Sequence, residues 1–273
     1  MTMRGQRLAR LMTFVALGLG TTAYHPAQDW ARRRLEASPR HQEWVSITYD
    51  RRTVHAFVVY PEAKTKTPAV IVIHENRGLT DWVRSVADQL AEAGVIAIAP
   101  DLLSGMAPGG GRTSDFSSED AAREAISKLP PEQVMADLNA VADYAARLPA
   151  GNGKVAVAGF CWGGSQAFRF ATHRPNLAAA FVFYGTGPRD AESLARIRCP
   201  VYGFYGGNDA RVTATVPETA DVMKRLGKTF EPITYEGAGH GFMRTGEEPH
   251  PTEANRKARE QAWARWKELL KKL

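Results

Sequence analysis

The chain has 273 residues, of which 44% are hydrophobic and 23% are charged. Such a composition is typical of a globular protein, and the length allows one large α/β domain that needs no disulfide or metal for stability. The formal net charge is +6, but removing residues 1–23 leaves 32 basic and 29 acidic side chains. This small excess argues against a nucleic acid partner.

The N-terminus has the order of a secretory signal peptide. Arg4, Arg7 and Arg10 precede an apolar run over residues 11–20 and a small-residue site over residues 21–23. We therefore expect an exported protein, periplasmic or secreted, although an amphipathic leader on a cytoplasmic enzyme would look similar. The apolar run is too short to span a bilayer, and no stable membrane span is expected elsewhere.

Residues 1–42 are predicted to be a leader, with the signal peptide over about 1–23 and a tail after it. Residues 43–273 are predicted to be one domain. This domain begins with an antiparallel hairpin formed by "WVSITYD" and "TVHAFVVYP". The apolar strands "AVIVIHE" and "VIAIAPDL" follow, with a helix from about residue 82 to 93 between them.

A Gly/Pro/Ser-rich loop then leads to helical stretches over about 119–128 and 131–147. The remaining predicted strands are "KVAVAGF", "LAAAFVFYG", "CPVYGFYGG" and "FEPITYEG", and the remaining helices cover about 162–173, 216–226 and 255–273. This alternation predicts an α/β fold with a mainly parallel sheet and helices on both faces. Functional side chains are expected at the carboxyl ends of its strands.

Three such side chains occur in the order nucleophile, acid, histidine. Cys161 lies in "GFCWGG" directly after a strand, Asp209 follows "VYGFYGGN", and His240 lies in "EGAGHGF". Each has an ordinary alternative, as a small core residue, a turn former or a loop residue. Together they match the chain order of the α/β-hydrolases and predict a Cys-His-Asp triad on that fold. The oxyanion would then bind the backbone N–H of Trp162 and that of Asn76.

Five segments together carry a resemblance to a known family. They are "HENRGL", "APDLL", "GFCWGG", "YGGND" and "GAGHGF". Over roughly residues 45–270 the chain resembles the dienelactone hydrolases, also called carboxymethylenebutenolidases. The resemblance implies the same triad, and it implies that Glu75 contacts the resting thiol and controls its ionisation. A pairing of Glu75 with Arg77 is the alternative.

The resemblance also implies that arginines hold a substrate carboxylate. Arg244, four residues after His240, matches one family position. Arg123 is the nearest candidate for a second, and Arg112 stays open. The implied activity is hydrolysis of small activated lactones or esters, with or without a carboxylate, through an acyl-enzyme and with no cofactor or metal. Other esters or thioesters, or a non-catalytic binding scaffold, are the alternatives.

Two further expectations concern Cys199 and the oligomeric state. Cys199 precedes Pro200 at the start of a buried strand and is predicted to be a core residue, although counting alone would allow a disulfide with Cys161. The protein is expected to be a monomer or a small homo-oligomer.

Overall fold

An eight-stranded sheet organises the chain in the computed structural model, which describes residues 28–273. The sheet order is β1-β2-β4-β3-β5-β6-β7-β8. β1 and β2 form an antiparallel hairpin, β2 pairs antiparallel with β4, and all other pairs are parallel. The strands are β1 (Gln42–Tyr49), β2 (Arg52–Val59), β3 (Thr67–Ile73), β4 (Ile96–Asp101), β5 (Gly151–Phe160), β6 (Ala180–Phe183), β7 (Val201–Gly206) and β8 (Phe230–Tyr235).

Ten helices connect or cover these strands in the described part of the chain. They are α1 (Asp29–Ala37), α2 (Asp81–Glu92), α3 (Glu119–Ser127), α4 (Pro131–Ala146), α5 (Trp162–His173), α6 (Ala191–Ala195), α7 (Ala210–Thr213), α8 (Val216–Arg225), α9 (Phe242–Thr245) and α10 (Glu253–Leu270). The predicted strands and long helices of the domain are confirmed. The short helices α6, α7 and α9 were not predicted, because fewer than six residues give no helical periodicity.

The central strands are buried on both faces, as their continuous apolar runs predicted. Residues of β3, β4, β5 and β6 contribute to two hydrophobic clusters, one on each face of the sheet. Side chains of α4, α5 and α8 cover one face, and side chains of α1, α2 and α10 cover the other. Helices therefore cover both faces of the sheet, which confirms the predicted fold class.

Helix α1 is the main departure from the prediction, which treated residues up to 42 as leader and tail. Ala31 and Leu35 of α1 are buried in the core on the α2 side of the sheet. Arg34 pairs with Glu247, 3.2 Å away. Only two residues of this nine-residue helix are buried, so its sequence is mostly polar and does not show the periodic apolar face of a core helix. The predicted signal peptide lies outside the described residues, and no helix of residues 28–273 is long and apolar enough to cross a membrane.

The long loop after β4 is fixed to the loop after β3 by one buried carboxylate. Asp101 accepts hydrogen bonds from the backbone N–H of Leu103 and from both the N–H and the hydroxyl of Thr113. Thr113 Oγ1 in turn accepts from the N–H of Leu79, at 3.1 Å. The Gly/Pro/Ser-rich loop is therefore an ordered part of the upper edge of the sheet.

Both cysteines are free thiols. Cys199 is 6% exposed and packs in the core, as predicted, and burial raises its pKa to about 11. Cys161 is partly exposed. Only Cys161 is therefore placed to meet a ligand.

Candidate active site

Cys161 lies on a strained turn between β5 and α5. Its backbone has φ 56° and ψ −116°, a conformation that few residues other than glycine adopt. The turn is held on one side by the Cys161 N–H, which donates to the carbonyl of Phe183 on β6 at 3.0 Å. α5 begins at the next residue, so its positive end points at the sulfur.

Two glycines make this turn possible. A Cβ at Gly159 would overlap the carbonyl oxygen of Gly163, so strand β5 and helix α5 touch backbone to backbone. A Cβ at Gly163 would overlap the carbonyl oxygens of Ile73 and His74. The start of α5 is therefore packed directly against the end of β3, and the loop that carries Glu75 and Asn76 begins beside Cys161.

The structure brings Cys161, His240 and Asp209 into one chain of hydrogen bonds. Asp209 lies just after β7 and is 7% exposed, and His240 lies between β8 and α9. His240 Nδ1 is 2.5 Å from Asp209 Oδ2, and Nε2 is 3.0 Å from Cys161 Sγ. The His240 side chain is 33% exposed. The imidazole is thus fixed by a buried carboxylate and faces the sulfur from the solvent side.

The hydrogen bond with Cys161 is the largest influence on the titration of His240. Together with the hydrogen bond and charge of Asp209, it outweighs burial and raises the pKa of His240 to about 9. The charged imidazolium is therefore favoured at neutral pH, and it can donate to Asp209 and to the sulfur at once.

The two amides predicted to bind an oxyanion lie on either side of this sulfur-bearing turn. Trp162 N–H is at the start of α5, and Asn76 is in a turn closed by the Gly78 N–H donating to the carbonyl of Glu75. Neither amide donates a hydrogen bond to another group of residues 28–273. Both are therefore open to an added acceptor, and their role stays a prediction.

His74 holds the Asn76 loop in place. Its Nδ1–H donates to the carbonyl of Glu75 at 2.7 Å, and its Nε2 accepts from the N–H of Leu102 at 3.3 Å. The ring is fully buried and stacks on Trp162 with centroids 5.5 Å apart. Burial lowers its pKa, so the ring stays neutral and can serve both bonds.

Glu75 has a different partner from the one that the family resemblance implied. Its Oε2 accepts from Arg244 Nε at 3.0 Å, while Arg244 Nη1 donates to Glu248 at 2.7 Å. The hydrogen-bond partner of the Cys161 thiol is His240, not Glu75. The alternative pair of Glu75 with Arg77 is not formed either, because Arg77 binds Glu119 at 3.1 Å. Glu75 and Arg244, two separate predictions, therefore form one ion pair.

The second predicted arginine is not found at the sulfur. Arg123 is partly exposed on α3 and pairs with Asp120 at 2.7 Å. The guanidinium of Arg112 lies over the ring of Trp44, 4.0 Å from its centroid. Neither contacts Cys161, Asp209 or His240 within residues 28–273. No group of three or more potential metal ligands lies together in that range.

Tyr184 lies beside His240, a position that no sequence motif indicates. It follows β6 with φ 42°, is 1% exposed, and places its ring 5.1 Å from that of His240. Its hydroxyl has no hydrogen-bond partner in the described part of the chain. Burial first, and then the charge of Glu75, raise its pKa well above the usual value. No local pattern in "FVFYGTG" distinguishes this tyrosine from a packing residue.

The sheet is mainly parallel, and loops at its carboxyl edge carry a cysteine, an acid and a histidine. This strand order and this arrangement define an α/β-hydrolase. The sequence profile of the dienelactone hydrolase family matches residues 54–273. The chain belongs to this family, and it is a dienelactone hydrolase-like hydrolase.

Individual relatives agree with that assignment. A carboxymethylenebutenolidase of Pseudomonas putida is 32% identical over 211 residues, covering 74% of this chain and 86% of its own. A Yersinia pestis protein, provisionally given the same name, is 34% identical over 199 residues, 68% of this chain and 73% of its own. The crystal structure of a provisionally named dienelactone hydrolase from Klebsiella pneumoniae superposes with a TM-score of 0.74 at 28% identity, covering 86% of this chain and 99% of that one.

Removing the hydroxyl of Tyr184 should stabilise the protein. A buried hydroxyl without a partner costs about 1–3 kcal/mol, so Tyr184→Phe should raise the free energy of unfolding by about 1 kcal/mol. Tyr49→Phe is the matched contrast, because the Tyr49 hydroxyl donates to the buried Asp137, and its loss should destabilise. Urea unfolding measures both, and a destabilised Tyr184→Phe variant would contradict the expectation.

The stability contributed by His240 should depend on pH. Because its pKa is raised to about 9 from about 6.5, the contribution is complete below pH 6.5 and disappears as pH rises through 9. The difference in unfolding free energy between the wild type and His240→Gln should shrink across this window. In a Cys161→Ala background this pH range should narrow, because the hydrogen bond that raises the pKa of His240 most is gone. A difference independent of pH would refute this.

Proposed function

We propose that the protein hydrolyses small activated lactones or esters through a thioester formed on Cys161. The observation that supports this best is the continuous chain from Asp209 through His240 to Cys161 Sγ, with contacts of 2.5 and 3.0 Å. Distances of this size allow proton transfer between imidazole and sulfur without rearrangement. The family and the names of the relatives point to the same reaction class.

In the first half-reaction the thiolate of Cys161 attacks the carbonyl carbon and forms a C–S bond. The carbonyl oxygen becomes an oxyanion, which binds the N–H groups of Trp162 and Asn76. Collapse of this intermediate breaks the ring or ester C–O bond. The departing enolate or phenolate oxygen takes the proton from His240 Nε2, which leaves the imidazole neutral.

In the second half-reaction His240, now neutral, takes a proton from a water molecule. The oxygen of this water attacks the thioester carbonyl, again through an oxyanion at the two amides. The C–S bond breaks, the acid product leaves, and the thiolate and imidazolium are restored. Asp209 keeps the ring oriented in both steps and stabilises its charged form.

The choice of activated substrates follows from the leaving groups. A thiolate is a better leaving group than an alkoxide, so the intermediate from a simple alkyl ester would return to starting materials. An enolate or phenolate departs readily and commits the intermediate to the thioester. Cysteine in this site therefore favours enol-lactones and aryl esters.

Glu75 and Arg244 would add selectivity for substrates that carry a carboxylate. Arg244 binds Glu75 and Glu248 at rest, so an incoming carboxylate must compete for the guanidinium. Release of Arg244 would leave Glu75 as an unpaired negative charge in the site. In this proposal Glu75 controls the thiol through Arg244.

Cys161 should carry the activity. The wild type should hydrolyse a dienelactone or p-nitrophenyl acetate, and iodoacetamide should abolish this activity. Cys161→Ala should lower kcat/KM by about 10³-fold or more, because the nucleophile is absent. Cys199→Ala is the control, since Cys199 is a buried core thiol, and it should keep both the activity and the sensitivity to iodoacetamide.

Two outcomes of these assays would change the proposal in different ways. Full activity of Cys161→Ala would eliminate the thioester mechanism. Turnover of the aryl ester without turnover of the dienelactone would keep the mechanism and remove the lactone as substrate.

Arg244 should matter most for substrates with a carboxylate. Arg244→Ala removes hydrogen bonds to a charged group, so kcat/KM for a carboxylated aryl ester should fall about 10- to 100-fold more than for the neutral ester. Arg123→Ala tests the other predicted arginine. Because Arg123 pairs with Asp120 away from the sulfur, we expect equal small effects on both substrates. Equal losses in Arg244→Ala would rule out its clamp role.

A further inference from the structure

Away from Cys161, a cavity opens between α1, the start of α2 and the loop after β4. Its volume is about 120 Å³, roughly ten times the 10–15 Å³ that a single water requires. We call it the Arg112 pocket and define it by Trp44, Arg77, Leu79, Arg84, Arg112 and Phe116. Cys161, Asp209, His240, Glu75 and Arg244 are not among the residues that line it.

The β3–α2 loop divides this pocket from the site at Cys161. On one side of the loop Glu75 binds Arg244 of α9. On the other side Arg77 binds Glu119 of α3, and the N–H of Leu79 donates to Thr113. Neighbouring residues of one short loop thus serve two separate environments.

In the described part of the chain, one arginine of this pocket has no carboxylate partner. Of the other arginines in its lining, Arg32 pairs with Asp29, Arg84 with Asp81 and Arg77 with Glu119. The carboxylate of the buried Asp101 accepts hydrogen bonds from Leu103 and Thr113. For Arg112 no ion pair with a carboxylate is found within residues 28–273, and its guanidinium stacks on Trp44 at 4.0 Å. Stacking leaves the N–H edge of a guanidinium free, and that edge suits bidentate binding of a carboxylate.

Apolar surface lies next to this free cation. Trp44 is 39% exposed, and its ring lies under the Arg112 guanidinium. Leu79 and the half-buried Phe116 form further walls of the cavity. The surroundings therefore suit a molecule with an anionic end and a flat apolar body.

We propose that the Arg112 pocket is an accessory binding site for a small aromatic or other planar unsaturated carboxylate. The carboxylate binds the guanidinium edge of Arg112, and the flat body packs against Leu79 and Phe116. The stack on Trp44 holds the guanidinium in position before the ligand arrives. This reduces the entropy that binding must overcome.

The test uses 4-fluorobenzoate as the probe, titrated into the purified protein and followed by ¹⁹F NMR. The wild type should show saturable binding, and Arg112→Gln should weaken it at least tenfold. Arg123→Gln is the matched control, because this nearby arginine lies outside the pocket, and it should bind like the wild type. Both 4-fluorobenzyl alcohol, which lacks the charge, and fluoroacetate, which lacks the ring, should bind more weakly than the probe.

The same probe could instead bind at Arg244, and two measurements separate the sites. In Arg244→Gln binding should persist, and the probe should leave the rate of Cys161 alkylation by iodoacetamide unchanged. Unaltered binding in Arg112→Gln, no saturable binding in the wild type, or loss of binding in Arg244→Gln would each overturn the proposal. None of these results depends on which substrate the enzyme hydrolyses.

Discussion

The site depends on one contact between backbones, where Gly163 at the start of α5 meets both Gly159 on β5 and the end of β3. No side chain fits between these segments, because a Cβ at either glycine would overlap a carbonyl oxygen. The contact forces Cys161 into its positive φ and lifts the sulfur above the sheet edge. It also places the Asn76 loop beside the first amide of α5. A substitution here would displace the sulfur and the predicted oxyanion amides together.

Around this contact, buried polar groups with hydrogen-bond partners hold the neighbouring loops in place. His74 uses both ring nitrogens, Asp101 accepts three hydrogen bonds, and Asp209 holds His240. In the described part of the chain, the backbone N–H groups of Trp162 and Asn76 donate no hydrogen bond. Polar groups left unpaired in an otherwise satisfied region are those that a bound substrate could use. The distribution of satisfied and open groups thus outlines where chemistry can occur.

The sequence predicted the sheet, the long helices and the three residues joined by hydrogen bonds, because apolar periodicity and glycine spacing are local signals. It did not predict α1, whose buried face is only Ala31 and Leu35. Nor could it pair Glu75 with Arg244, since 169 residues separate them and either could have faced solvent. Partner choice among charged side chains depends on tertiary distances. Local motifs therefore predict where the site lies, whereas its resting ion pairs are decided by distances in the folded chain.

Arg244 and Arg112 show how the same side chain can serve different purposes within one fold. Arg244 is largely buried and shared by two carboxylates, so an anion can bind it only by breaking an ion pair beside the thiol. Binding there must be coupled to a change at Glu75, which suits a step linked to catalysis. Arg112 is stacked on the exposed indole of Trp44, and no carboxylate within residues 28–273 pairs with it, so an anion can bind it with no exchange of partners. Affinity for an anion at Arg112 should therefore be independent of Glu75, whereas affinity for an anion at Arg244 should rise when the charge of Glu75 is removed, as in Glu75→Gln.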